Sequence, residues 1–367
     1  MKTNEPIYVT RPFIPPLAEY HALLETVWDS QQLANNGPMV TRLERSLASE
    51  LGSSDFVCVN NGTTAIQLGI KALKLKGEII TTPFTWIATV GAIKAEGCIP
   101  RFCDIDPQTL NIDVDKIEAL ISPSTVAIMP VHVFGNPCDV YRIEEIARRH
   151  NLKVIYDAAH ALGTTVNGRT VLEYGDVSAV SLHATKLLNT GEGGGCISPS
   201  GDVLSEIRRS RNFGLDEQAE VIGDGVNGKL SEVNAALGVA GLPYLSEIIA
   251  DRREKYALYV SLLSGCQELS LQVVNGDGCN CMYFPLVFES EVLLLQVQAA
   301  LNQEGIFPRR YFYPSLTQYA SSMTGDPAPI ADDIATRILC LPLYYSLAED
   351  VIERISQLIL QELSGVS

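Results

Sequence analysis

From about residue 55 to 200 the chain alternates short apolar runs with stretches of helical period. The runs are Phe56 to Val59, Glu78 to Thr81, Ile99 to Phe102, Thr125 to Val131, Leu152 to Tyr156 and Val177 to Val180. Between them, positions such as Val114, Ile117, Leu120 and Ile121 recur at i, i+3, i+6 and i+7, one apolar stripe of a helix. Strands alternating with helices predict crossover connections and a mainly parallel sheet, whose strand ends carry the ligand site. Two helices, Leu17 to Gln31 and Met39 to Leu51, precede the first strand and are separated by the turn-former Asn35-Asn36-Gly37-Pro38. A long helical region runs from Lys229 through Leu242 to about Ser264. A smaller unit follows, with strands at Cys281 to Phe288 and Arg337 to Leu341 and helices at Glu291 to Glu304 and Ala348 to Leu363. The pattern predicts a large α/β domain over residues 1–250 and a small α+β domain over 251–367.

A chain of 367 residues with 46% hydrophobic and 19% charged positions buries a large core and is not disordered. The formal charge of −16 argues against a nucleic-acid binder. Any anionic ligand must therefore be met by backbone amides and a few local cations. No run of 18 apolar residues is present, and Met1 to Pro6 lacks the hydrophobic region of a signal peptide, so a cytoplasmic protein with no membrane partner is expected. Nine cysteines without a C-x-x-C pair read as reduced core residues, and no metal is expected.

Three strand ends carry candidate chemistry. Asn60-Asn61-Gly62-Thr63-Thr64-Ala65 follows the first strand and opens a helix, an anion cradle in which free amides and the positive end of the helix dipole face one spot. Asp157 ends the run Val154-Ile155-Tyr156 and is followed by Ala158-Ala159-His160. A carboxylate delivered into a cleft by a buried strand requires a cation opposite it. Lys186, in Ser181-Leu182-His183-Ala184-Thr185-Lys186, sits beside the glycine-rich reversal Gly191 to Gly195 and is a candidate Schiff-base nucleophile. Phosphate cradle, buried Asp and sheltered Lys together meet the needs of pyridoxal 5'-phosphate, and Trp86 in Pro83-Phe84-Thr85-Trp86 offers an aromatic face.

The set NNGTTA (60 to 65), PFTWIAT (83 to 89), YDAAHALG (156 to 163), SLHATKLLNTGEGGG (181 to 195) and GVNGKLSEVNAALG (225 to 238) resembles the DegT-type nucleotide-sugar aminotransferases of fold type I pyridoxal-phosphate enzymes. The resemblance implies a mainly parallel seven-stranded sheet flanked by helices. It makes Lys186 the lysine that condenses with the cofactor and Asp157 the partner of its ring nitrogen. It places His160, where many relatives have Gln, near the phenolic oxygen, Thr63, Thr64 and Ser181 at the phosphate, and Trp86 against the ring. Asn227 would reach the phosphate from the neighbouring subunit of a homodimer with shared active sites. The donor implied is L-glutamate and the acceptor a nucleotide-linked keto sugar, in amino-sugar biosynthesis of the kind that supplies cell-surface polysaccharides such as O-antigen.

His-Ala-Thr-Lys followed by Gly-Glu-Gly-Gly resembles relatives that aminate carbon 4. Lys229, where many relatives carry Arg, resembles the branch making 4-amino-4,6-dideoxyglucose on a dTDP carrier. A carbon-3 aminotransferase and a non-catalytic sugar-nucleotide-binding regulator of the same fold are the alternatives, and Asp157 with Lys186 speaks against the latter. Gly223 to Gly228 matches G-x-G-x-x-G, but no proper strand precedes it and no acidic strand end follows. The segment Arg309-Arg310-Tyr311-Phe312-Tyr313-Pro314 offers a basic and aromatic grip for diphosphate or for the donor carboxylate.

Overall fold

The computed structural model describes residues 5–319 and 325–365. Its centre is a seven-stranded sheet built from β1 (Val57–Val59), β2 (Glu78–Thr81), β3 (Ile99–Phe102), β4 (Thr125–Ile128), β5 (Lys153–Asp157), β6 (Val177–Ser181) and β7 (Gly194–Ile197). The order is β1-β7-β6-β5-β4-β2-β3. The pairings β2 with β3, β2 with β4, β4 with β5 and β5 with β6 are parallel, and β7 runs antiparallel to both neighbours. This is the mainly parallel sheet expected from the alternating pattern. Residues such as Val57, Val59, Ile79, Ile80, Ile155, Val177 and Val180 are fully buried, as strands covered by helices on both faces require.

Strand boundaries differ from the apolar runs where the backbone loses a donor or turns. The run from Thr125 to Val131 pairs as a strand only to Ile128, and Pro130 contributes just its carbonyl, which accepts from the Asp157 amide at 2.9 Å. The run from Cys281 forms a strand only over Phe284–Phe288, because Cys281 adopts a positive φ of 52°. The long helical region after Lys229 is divided. Ser231 caps the helix Glu232–Gly241 through the Asn234 amide, a 3-10 turn at Leu242–Tyr244 carries Pro243, and a second helix covers Leu245–Leu263. The stretch 232–263 is long and apolar enough to span a bilayer by length and composition, and 56% of its most apolar window is buried inside the protein.

Four helices matter most for the site and its support: α1 (Leu17–Ser30), α2 (Pro38–Glu50), α3 (Gly62–Ala72) and α4 (Ile87–Ala95). Helix α2 has Gly37 at its N-cap, which offers no side chain to its free amides. The carboxylate of Glu232, fully buried, accepts instead from the Met39 amide at 2.6 Å and the Val40 amide at 3.3 Å. Glu232→Ala strands those amides away from water, and a loss of about 2–4 kcal/mol is expected in urea unfolding. A loss below about 0.5 kcal/mol would mean that water replaces the cap.

A second hydrophobic cluster is formed by the three-stranded antiparallel sheet Leu269–Leu271, Phe284–Phe288 and Ile338–Leu341, together with Glu291–Gln303, Glu349–Ser364 and the end of Leu245–Leu263. Ile7 joins this cluster, because Ile7–Tyr8 pairs in parallel with Ile306–Phe307. All nine cysteines are unpaired, and seven are buried.

Candidate active site

The C-terminal ends of β5 and β6 and the N-terminus of α3 open on one cavity of about 340 Å³. Its wall contains Thr63, Trp86, Asp157, His160, Ser181 and Lys186, which come from four separate segments of the chain. Thr64 and Asn227 do not line it. Thr64 is buried, and its amide donates to Asn61 Oδ1 at 2.8 Å in the helix cap. Asn227 is exposed, and its Oδ1 accepts from Lys229 Nζ at 2.8 Å.

The cradle has the form expected of a strand, glycine turn and helix. With Asn61 spent on the Thr64 amide, the amides of Gly62 and Thr63 have no acceptor among the described residues. The glycine-rich reversal explains how β7 can lie beside them. A Cβ on Gly194 would fall 2.6 Å from the Asn61 carbonyl carbon and 2.7 Å from the Gly62 nitrogen, so only glycine lets the strand pass. The loop between β6 and β7 is closed by bonds from the Leu182 amide to the Gly193 carbonyl and from the Ala184 amide to the Gly191 carbonyl. It presents Lys186 from a hydrogen-bonded base.

Asp157 is held by two donors. Thr89 Oγ1 donates to Oδ2 at 2.7 Å and the Ala159 amide to Oδ1 at 3.1 Å. Thr85 Oγ1 lies 2.8 Å from Thr89 Oγ1, so the two hydroxyls form a relay along the start of α4, directly after Trp86. Burial raises the Asp157 carboxyl above its ordinary range, opposed by Thr89, by the Ala159 amide and by the charge of Lys186. Burial pushes the Lys186 ammonium down to about 8, an effect that the charge of Asp157 only partly offsets. Lys186 Nζ has no hydrogen bond or ion pair among the described residues.

Burial, and then the charge of Lys186, holds the His160 imidazole well below its ordinary value, which disfavours its protonated form. Its ring is parallel to Phe312, with centroids 6.1 Å apart, and its buried Nδ1 has no hydrogen-bond partner among the described residues. One cavity thus gathers a carboxylate held by two donors with an amine and an imidazole nitrogen that have no hydrogen-bond partner among the described residues, beside free helix amides. A phosphorylated, protonatable heterocycle with an aldehyde and a phenolic oxygen would satisfy each of them.

Several residues in or behind the wall carried weaker signals. Thr89 falls inside the PFTWIAT stretch, one helical turn after Thr85, and that spacing on a helix start is the signal that could have marked it. His183 and Glu192 flank Lys186 in its own loop, with His183 Nε2 3.7 Å from Glu192 Oε1. Tyr283, packed in the main hydrophobic cluster just before the strand Phe284–Phe288, reaches the wall and had no local signal. In the basic and aromatic segment, Arg309, Tyr311 and Phe312 line the cavity whereas Arg310 does not. The glycines of 223–228 serve a backbone crossing rather than a dinucleotide: a Cβ on Gly225 would lie 2.2 Å from the Gly214 nitrogen.

Comparisons with known proteins bear on the family and the fold. The dTDP-4-amino-4,6-dideoxy-D-glucose transaminase of Shigella dysenteriae is 41% identical, over 96% of this chain and 98% of its own. The protein of the same name from Escherichia coli is 38% identical, over 97% and 99%. The crystal structure of DesI with its TDP-sugar product superposes with a TM-score of 0.91 at 32% identity, covering 99% of this chain and 95% of that one. A sequence profile matches residues 18–360, nearly the whole chain, and the protein belongs to the DegT/DnrJ/EryC1/StrS aminotransferase family.

Proposed function

We propose that the cavity holds pyridoxal 5'-phosphate and that the enzyme moves the amino group of L-glutamate to carbon 4 of a nucleotide-linked 4-keto-6-deoxyhexose, dTDP-4-keto-6-deoxyglucose in the favoured case. The observation that carries this reading is the meeting of Lys186 and Asp157 in one cavity at the free amides of α3. Lys186 Nζ would hold the cofactor through its aldehyde carbon and Asp157 would face the ring nitrogen. His160 would meet the phenolic oxygen, Trp86 the ring, and Thr63, Ser181 and the α3 amides the phosphate. Thr64 would act by shaping the cap with Asn61.

When bound, the cofactor supplies an electron sink for negative charge on the carbon that bears the amine. The chain supplies the rest. A Lys186 amine depressed to about 8 is about a tenth unprotonated at pH 7, far more than an ordinary lysine, so Nζ could take the α proton of the donor and later return a proton to the acceptor side. Asp157, costly to ionise while unpartnered, becomes favourable as an anion once a cation faces it.

The reading assigns Asn227 to a neighbouring subunit's phosphate. Its exposure outside its own cavity supports this, as do the exposed apolar side chains Phe213, Val221, Ile222 and Val226 around it. Carbon 4 and the dTDP carrier are supported by the names of the relatives at 41% and 38% identity.

The test is spectroscopic. The purified protein loaded with pyridoxal phosphate is expected to be yellow, to be bleached by L-glutamate, and to carry the borohydride-reduced adduct on Lys186 in peptide mass spectra. With dTDP-4-keto-6-deoxyglucose the product should carry nitrogen on carbon 4 by NMR. Amination of the 3-keto isomer with no amination of the 4-keto sugar would transfer the assignment to the carbon-3 reading, and binding of sugar nucleotide without any glutamate bleaching would point to the regulator.

A further inference from the structure

The substrates of a two-stage amino transfer occupy one cavity in turn, and both are anions: a dicarboxylate donor and a sugar carried on a diphosphate. In a chain of net charge −16 the cations available to them are few. Lys186 and Arg309 are the Lys and Arg residues in the cavity wall, and Lys186 is committed to the chemistry.

Arg309 differs from its neighbour. The Arg310 guanidinium is spent, donating to Glu291 Oε1 at 2.6 Å and to the Thr336 carbonyl at 2.5 Å. The Arg309 guanidinium has no carboxylate or carbonyl partner among the described residues. It is held by ring faces instead, with Cζ 4.2 Å from the Tyr311 centroid and 5.8 Å from that of Trp86. Its position is anchored by a pair of backbone bonds with Cys340, the Arg309 amide donating at 3.0 Å and its carbonyl accepting at 2.8 Å.

A second cavity of about 210 Å³ shares Trp86, Arg309, Tyr311 and Phe312 with the first, so Arg309 stands at the junction of the two. Glu192, also in the wall of the first cavity, is acidic and disfavours an anion beside it. A cation fixed by its stem, free at its head and open to both cavities can receive an anion arriving from either.

The geometry points to Arg309 as a shared anion receptor: it takes a carboxylate of the donor in one half of the reaction and the diphosphate of the sugar nucleotide in the other. The inference rests on the reading above and deepens it by naming how one site accepts two unlike substrates. It requires that the two anions exclude each other.

Equilibrium titration of the cofactor-loaded protein with dTDP and with glutarate, a dicarboxylate that has no amine to react, tests it directly. In the wild type the two ligands are expected to compete. Arg309→Gln is expected to weaken each by about 10- to 100-fold, the loss of charge-assisted bonds, while the cofactor absorbance is unchanged. Arg309→Lys should recover part of both affinities, and Arg310→Gln should weaken neither. If Arg309→Gln weakens only one ligand, or if dTDP and glutarate bind together, the shared receptor is wrong. Failure of the functional reading is separate: it appears as wild-type enzyme that glutamate does not bleach, whatever the titrations give.

Discussion

Lys186→Ala is expected to lower turnover by about 10⁴-fold or more, because one substitution removes both the covalent anchor for the cofactor and the acid–base group. The fold should survive, since Lys186 Nζ has no hydrogen bond or ion pair to lose among the described residues. Pyridoxal phosphate is expected to bind still, through the α3 amides and Asp157, but without the absorbance of a lysine adduct. The depressed amine has its own signature. With burial holding it near 8, about half of the amine is unprotonated at pH 8, against well under about 1% for an ordinary lysine. The initial rate at which the cofactor-free protein is loaded should therefore rise with pH to a midpoint near 8. Normal turnover by the variant would remove Lys186 from the chemistry, and a loading midpoint near 10.5 would show that burial does not control the amine.

Asp157→Asn should separate catalysis from stability. The amide keeps the size of the carboxyl but cannot carry the negative charge that a protonated ring nitrogen requires, and turnover is expected to fall by about 10²- to 10³-fold. In the cofactor-free protein the same change should be neutral or stabilising. The folded-state value of Asp157 lies above the ordinary 3.8, so the native protein holds a proton that the unfolded chain has already released. Stability therefore falls as pH rises from about 3.8 through the raised folded value, and above that value the full cost of the buried charge remains. The Asn variant does not pass through this window. Thermal unfolding of both cofactor-free proteins from pH 4 to 8 should show the wild type losing stability relative to the variant as pH rises. A variant markedly less stable at pH 8 would mean that the bonds from Thr89 and the Ala159 amide outweigh the cost of the buried charge.

The alternation of apolar runs and helical stretches was enough to place the central strands, because a strand buried on both faces needs an unbroken apolar run. Its errors came from backbone chemistry that side-chain pattern does not report: Pro130 cannot donate, and Pro243 splits a continuous apolar stripe into two helices. The antiparallel strand Gly194–Ile197 was hidden inside a glycine run whose purpose shows only when Asn61 and Gly62 lie against it.

Local chain chemistry by itself determined the parallel sheet, the cradle at Gly62, and Asp157 and Lys186 as strand-end groups, because each is written within a few residues of a strand or helix boundary. Tertiary structure alone decided that Thr89 bonds Asp157, that Tyr283 and Arg309 line the cavity, and that Arg310 is spent while the Arg309 guanidinium has no hydrogen-bond acceptor among the described residues. Those outcomes depend on which side chains from distant segments come within hydrogen-bonding reach, and no local spacing encodes that distance.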